Sequence, residues 1–149
     1  MFAWLIAVIS GAVMSIQGVF NTSVTKQTAI WTTASFVQAS ALVVCITAWF
    51  LSGREGRFLD VLKVSPKYLL LGGALGAVIT ITVIKSTAQL GPAMAVMLIL
   101  GAQMITSYLI EVFGLFGTEK VPFEWKKLIA VALIVAGIVV FQMTGKKAE

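Results

Sequence analysis

Five long apolar runs, separated by short polar breaks, restrict what this chain can fold into more than any other feature. They cover about residues 2–24, 29–51, 67–90, 92–116 and 127–143. Each has close to the ~20 residues with which an α-helix crosses the hydrocarbon layer of a membrane. Backbone polar groups must be paired internally in lipid, and the runs lack the alternation of barrel strands. The sequence therefore predicts an all-α membrane protein with five transmembrane helices in a single domain, residues 1–149.

The composition argues against enzyme chemistry. Hydrophobic residues make up 59% of the chain and charged residues 11%, whereas soluble domains average about 25% charged residues. Histidine is absent and Cys45 is the one cysteine, so neither a Ser-His-Asp triad nor a Cys/His metal site can be built within the chain. We expect no enzyme activity, no cofactor and no metal. The net charge of +5 lies mostly between the runs, which indicates topology-setting cations rather than nucleic-acid binding.

The odd number of runs places the two termini on opposite sides of the membrane. The side that holds the N-terminus receives Arg54, Arg57, Lys63, Lys67, Lys120, Lys126 and Lys127, and the other side receives Lys26, Lys85, Lys146 and Lys147. This bias favours a cytoplasmic N-terminus, with insertion in both orientations left open. Two oppositely oriented copies would form an inverted repeat, as in many secondary transporters. We therefore predict half of an inverted-repeat transporter, paired with a second copy or an oppositely oriented homologue.

Polar residues inside the apolar runs are the candidates for a binding site, because they are costly in lipid and face other helices or a cavity. A stripe in the first run falls within an arc of about 60° at 3.6 residues per turn. It consists of Ser10, Met14, Gln17 and Asn21. An interhelical hydrogen-bond seam and a cavity lining are both open interpretations of this stripe. In the fourth run, Gln103, Ser107 and Glu111 follow at steps of four residues and share one helix face.

From these patterns we predict a substrate site with four main residues and four secondary ones. The main residues are Gln17, Asn21, Gln103 and Ser107, and the secondary cavity candidates are Ser10, Met14, Trp31 and Gln38. Trp31 also fits the aromatic belt that lies at membrane interfaces, as do Trp4, Trp49 and Trp125. Small residues predict helix packing at Gly72, Gly73, Gly76, Ala132 and Ala136.

One carboxylate and one cation lie well inside the runs, Glu111 and Lys85. At 1.5 Å per residue, each is about 10 Å from the membrane midplane, towards opposite faces. Inverting a second copy brings Lys85 of one chain to the depth of Glu111 of the other. We predict that they form a charge pair or gates across the dimer, while independent snorkelling of each side chain stays open.

Several motifs resemble those of the YdcZ-type family, a five-helix branch of the drug/metabolite transporter superfamily. The segment QGVFN at residues 17–21 is similar to its Gln-x-x-x-Asn signature, and LGGALGA at 71–77 resembles its third helix. LGPA at 90–93, GAQ at 101–103 and the pattern Ser107-x-x-x-Glu111-x-x-Gly114-Leu115-x-Gly117 resemble its fourth. Glu111 stands where the family often has Asp, and Lys85 is not part of the pattern.

The resemblance implies transporters of the bacterial inner membrane that occur as single dual-topology chains, oppositely oriented pairs or fused ten-helix proteins. It implies no particular substrate. The first helix lacks the acidic residue of related small multidrug transporters, which argues against proton-coupled efflux of polyaromatic cations. We therefore expect alternating-access transport of a small metabolite or xenobiotic by an antiparallel homodimer. A passive channel and a subunit of a paired heteromeric transporter are the alternatives.

Overall fold

The computed structural model of the chain describes residues 2–54 and 56–145, with side chains described as far as residue 143; Lys146 and Lys147 lie outside them. This part of the chain contains no strand and five long α-helices. They are α1 (Phe2–Gln27), α2 (Ile30–Leu51), α3 (Gly72–Leu90), α4 (Pro92–Phe113) and α5 (Trp125–Gly145). All five are long and apolar enough to cross a membrane, counting the turn Lys67–Leu71 with α3. The predicted all-α membrane fold is confirmed, while the inverted repeat stays a prediction.

The breaks between helices follow from backbone geometry. Ala29 is extended between α1 and α2, with φ −152° and ψ 156°. Gly91 has a positive φ of 78°, and Pro92 follows it at the start of α4, where the missing proline N–H costs no helical hydrogen bond. Residues 58–63 and 67–71 form two short 3₁₀ turns before α3. Most predicted limits agree with the helices to within three residues.

The fourth helix ends earlier than the predicted residue 116. Gly114 adopts a left-handed conformation, with φ 63° and ψ 39°, directly after Phe113, and glycine is the residue that most readily ends a helix in this way. The chain then folds back over the helix end. Thr118 donates a side-chain hydrogen bond to the Ile110 carbonyl at 3.3 Å, and the Val121 amide donates one to the Glu111 carbonyl at 3.0 Å. These bonds add to that of the Gly114 amide, which donates to the same two carbonyls at the end of the helix.

The chain divides into two compact units, one up to Gln89 and one from Leu90 onwards. The prediction of a single domain is not tested by this division and stays a prediction. In the first unit α1 packs on α2. A Cβ placed on Gly18 of α1 would lie 3.4 Å from a methyl group of Val83 of α3, at the edge of ordinary van der Waals contact, so α1 and α3 lie close together at Gly18.

The second unit is a hairpin of α4 and α5. A Cβ placed on Gly101 of α4 would lie only 3.1 Å from Cδ1 of Ile138 of α5. Among the glycines of this unit, Gly101 makes the closest contact between α4 and α5.

The surfaces of the five spans are mostly exposed and apolar. In each span, no more than 11% of the most hydrophobic stretch is buried. Lipid or another chain must cover this surface.

Candidate functional site

A cleft of about 250 Å³ opens between α4 and α5 within the second unit. Its lining consists of Met104, Ser107, Tyr108, Glu111, Lys127, Ala130 and Val131. The α4 residues of this lining recur every three or four positions and therefore face α5 together. The α5 residues belong to its first two turns, because α5 begins at Trp125. The cleft therefore lies at the end of the hairpin where α4 leads into α5, and not at the end that contains Pro92.

The polarity of this cleft changes with depth. Glu111 is two residues from the end of α4, and Lys127 is two residues from the start of α5. Met104 lies seven residues before Glu111, which corresponds to about 10 Å along the helix axis. Val131 lies one turn beyond Lys127. The end of the cleft near the helix termini is thus polar and charged, and its deeper end is apolar.

Tyr108 ties the two helices of the hairpin together. Its hydroxyl accepts a hydrogen bond from the Glu124 amide at 2.9 Å and donates one to the Glu124 carbonyl at 3.2 Å. The ring of Phe123 lies 6.2 Å from the Tyr108 ring, centroid to centroid. Lys127 Nζ lies 5.6 Å from the centroid of the same Tyr108 ring, within the range of a cation–π interaction. Tyr108 therefore holds both the start of α5 and the Lys127 side chain.

Glu111 and Lys127 line the same cleft without forming an ion pair with each other. Glu111 is exposed and Lys127 is partly buried. In the described part of the chain, the one ion pair joins Lys63 to Asp60. These two residues lie between α2 and α3, well before the cleft residues in the sequence. The cleft therefore presents a carboxylate and an ammonium group that are both available to a third group.

The structure brings two of the predicted α4 residues, Ser107 and Glu111, into this cleft. Gln103 lies on the same helix face one turn deeper and is exposed, but it does not line the cleft. Its predicted role in substrate binding stays a prediction. Tyr108 and Lys127 were not predicted as site residues. From the sequence, Lys127 is only a topology-setting cation at the start of the fifth run, and nothing in the sequence indicates that Tyr108 reaches Glu124.

The predicted stripe on α1 lies beside the face with which α1 packs. Gly18 and Thr22 are the buried residues of α1, and Thr22 donates a hydrogen bond to the Gly18 carbonyl at 2.8 Å. Gln17 is exposed and Asn21 is partly buried, about a quarter turn from that buried face at 3.6 residues per turn. The packing seam of α1 thus uses Gly18 and Thr22, which leaves Gln17 at the surface of the chain. Both interpretations of the stripe stay open.

The secondary candidates occupy different surroundings. Ser10, Met14 and Trp31 are exposed. Gln38 of α2 is partly buried, and its Nε2 lies 3.6 Å from the position of a Cβ at Gly76 of α3. This distance is an ordinary van der Waals contact, and the packing role of Gly76 stays a prediction.

The other predicted packing residues have no such neighbour within the described chain. A Cβ placed on Gly72 or Gly73 would meet no atom within 4 Å, and Ala132 and Ala136 are exposed. Their role in packing stays a prediction, which would concern contacts with another chain.

Lys85 is exposed on α3 and forms no ion pair with a described residue. It belongs to the first unit, whereas Glu111 belongs to the second. The predicted pairing of these two residues across a dimer stays a prediction.

Among the described residues, no three Asp, Glu or Cys side chains come together as a metal site would require.

A family model described as "Putative inner membrane exporter, YdcZ" matches residues 2–140. This match extends over all five helices, apart from the last residues of α5. Neither the curated proteins nor the solved structures contain a match to the chain.

Proposed function

Because the chain belongs to the YdcZ family of inner membrane exporters, we propose that it is a secondary transporter for a small metabolite or xenobiotic and works by alternating access as an antiparallel dimer. The family membership and the five apolar helices make the chain a multi-pass membrane protein and support a transporter. The membrane is the inner membrane of a bacterium, as the family description implies. Membership in an exporter family also points to a protein without enzyme activity.

The observation that supports this proposal most is the exposure of polar side chains within the spans. Gln17 of α1 and Gln103 of α4 lie inside apolar helices, and the chain itself covers neither of them. An amide that faces hydrocarbon without a hydrogen-bond partner costs several kcal/mol, of the order of 2–7. A second protomer or a water-filled substrate cavity removes that cost. An antiparallel dimer provides both, because the same residues then line a shared cavity from two sides.

A passive channel fits the distribution of polar residues less well. A channel needs polar groups along its whole length, whereas α5 offers no polar side chain between Lys127 and Gln142. The predicted polar stripes lie on α1 and α4. A paired heteromer fits the helices equally well and would require an oppositely oriented homologue with the reversed bias of Lys and Arg.

Electrical recording from proteoliposomes on a solid-supported membrane tests the proposal. We expect transient currents on addition of the transported compound from metabolite and cation libraries, with amplitudes that saturate. Steady conductance would support a channel instead. Currents that appear only when an oppositely oriented homologue is co-reconstituted would support the heteromer, and no current from either preparation would contradict transport.

Gln103→Leu extends this test to the predicted cavity. The substitution removes the amide while keeping similar bulk, so we expect the transport current to be lost while folding and dimerisation remain. Gln89→Leu at the end of α3 is the matched control and should retain the current. Wild-type currents from Gln103→Leu would mean that Gln103 serves only in packing.

A further inference from the structure

We propose that the α4–α5 cleft binds a small zwitterionic amphiphile, with its ammonium group at Glu111, its acid group at Lys127 and its apolar part against Met104 and Val131. This inference rests on the proposed function and deepens it by naming a substrate class. The cleft lies wholly within the second unit.

The two charged side chains of the cleft determine which charges a ligand must carry in order to bind there. Glu111 and Lys127 flank one space without pairing with each other. A neutral ligand would displace water from both charges and compensate neither, and a singly charged ligand would leave one of them uncompensated. Uncompensated charges in a partly desolvated site are costly. A ligand that carries both an ammonium group and an acid group compensates both at once through charge-assisted hydrogen bonds.

The size and the polarity gradient of the cleft restrict the ligand further. Its volume of about 250 Å³ lies below the ~300–1,000 Å³ that is typical of pockets for drug-sized ligands. A solute of amino-acid size therefore fits better than a polyaromatic drug. The deeper end of the cleft is formed by Met104, Ala130 and Val131, so the ligand's buried end is apolar.

Tyr108 does not compete for the ligand's polar groups. Its hydroxyl already accepts from the Glu124 amide and donates to the Glu124 carbonyl. Its ring lies beneath Lys127 Nζ at 5.6 Å, which positions the ammonium group over the cleft. Tyr108 is thus a positioning residue, and the selectivity of the site comes from Glu111 and Lys127.

Two sources present this ligand chemistry. One is a free solute of the amino-acid type with an apolar side chain. The other is the ethanolamine headgroup of a membrane phospholipid, which combines an ammonium group with a phosphate.

Binding calorimetry on the full chain in phosphatidylcholine nanodiscs tests the inference, because the quaternary ammonium of that lipid donates no N–H. The probes are L-leucine, N-acetyl-L-leucine, which lacks the ammonium group, and L-leucinamide, which lacks the acid group. We expect wild-type protein to bind leucine about tenfold or more tightly than either analogue, since each analogue loses one charge-assisted hydrogen bond.

Two substitutions should each remove one half of this selectivity. Glu111→Gln should abolish the preference for leucine over N-acetyl-leucine, and Lys127→Gln should abolish the preference over leucinamide. The controls make the same charge changes outside the cleft. Glu119→Gln and Lys126→Gln should leave both preferences unchanged.

A second preparation distinguishes the two sources. In nanodiscs that contain phosphatidylethanolamine, mass spectrometry measures the lipid that stays with the protein. Retention of phosphatidylethanolamine by the wild type, its loss in Glu111→Gln and Lys127→Gln, and no binding of leucine would assign the site to the headgroup. Binding of leucine with the selectivity above would assign it to the free solute.

The inference is overturned if neither source binds, or if the preferences survive both cleft substitutions. These results are distinguishable from failure of the proposed function. Charge-selective binding without any transport current would contradict the transporter and leave the site standing. Currents that are indifferent to both cleft substitutions would contradict the site alone.

Discussion

The hydroxyl of Tyr108 exchanges two hydrogen bonds with the backbone of Glu124, which lies 16 residues further along the chain. The chain between the two residues contains the end of α4, the left-handed Gly114 and the turn that leads to α5. A side chain that spans such a turn fixes the position of the next helix more firmly than the turn alone. The location of Lys127 opposite Glu111 therefore depends on a residue that carries no charge.

Tyr108→Phe removes both hydrogen bonds and keeps the ring beneath Lys127. We expect a loss of stability of about 0.5–1.5 kcal/mol per net hydrogen bond, towards the lower end because water can reach the exposed Glu124 backbone. Amide hydrogen exchange measures the effect directly: the Glu124 amide should lose protection. The Lys127 amide, which donates to the Glu124 carbonyl at 3.0 Å, is the internal control and should change less. Equal protection of the Glu124 amide in both proteins would contradict this role.

At the scale of single residues, the sequence predicted what depends on helical spacing and missed what depends on the turn. Ser107 and Glu111 are four residues apart on an apolar helix, so their common face follows from the helix period alone. Tyr108 and Lys127 meet because the chain turns between residues 114 and 124. Apolar patterning contains no information on the angle or length of that turn, and so neither residue was recognised.

α4 and α5 have a tight contact at Gly101. The position of a Cβ there is 3.1 Å from Cδ1 of Ile138, closer than real Cβ atoms usually come to a neighbour. Apolar helices in lipid gain little from the hydrophobic effect, and van der Waals contact through small residues contributes much of their association. The predicted small residues of α5, Ala132 and Ala136, are exposed instead.

Gly101→Ala should be about 1–3 kcal/mol less stable than Gly137→Ala, because the methyl group added at Gly101 requires Ile138 Cδ1 or the helix to move. Gly137→Ala is the matched control, since nothing lies within 4 Å of a Cβ there. It makes the same change of helix propensity without the clash. Combining Gly101→Ala with Ile138→Val removes the crowded Cδ1 and should restore stability. Unfolding in mixed micelles provides the measurement. Equal stability of the two alanine variants would mean that the helices are not held in contact at Gly101.

The helices themselves were predictable because their length and apolar character are set by the membrane. Their ends were less so. Leu115 and Phe116 continue the apolar run past Phe113, which extended the predicted fourth helix to residue 116. Local geometry decides otherwise, since the left-handed Gly114 ends α4 regardless of how apolar the next residues are. Hydropathy thus predicts the core of a membrane helix better than its terminus.

At the scale of the whole molecule, Gln17, Gln103 and Lys85 are exposed inside apolar spans. Polar groups in spans are costly without partners, and the proposed antiparallel dimer would supply them. In an antiparallel dimer, Lys85 of one protomer reaches the depth of Glu111 of the other. This pairing and ligand binding at Glu111 are compatible, because a transporter site is empty during part of its cycle.

Charge reversal tests the pairing of Lys85 with Glu111. Lys85→Glu and Glu111→Lys should each weaken the dimer, because each places like charges at the same depth, and the double variant should restore it. Dimer dissociation is the readout rather than transport, since Glu111→Lys also adds a second cation beside Lys127. Lys126→Glu combined with Glu111→Lys is the control and should not be restored. Damage that is simply additive in the Lys85 and Glu111 variants would exclude the pair.

The antiparallel arrangement itself is tested most directly by the orientation of the chain in sealed vesicles. In a Cys45→Ala background, single cysteines replace Ala29, which precedes α2, and Leu59, which follows it, so that the two probes lie on opposite membrane faces. A membrane-impermeant maleimide is then added from outside. A self-paired antiparallel dimer predicts that each position is labelled in about half of the molecules. Labelling of one position in every molecule and of the other in none would contradict it.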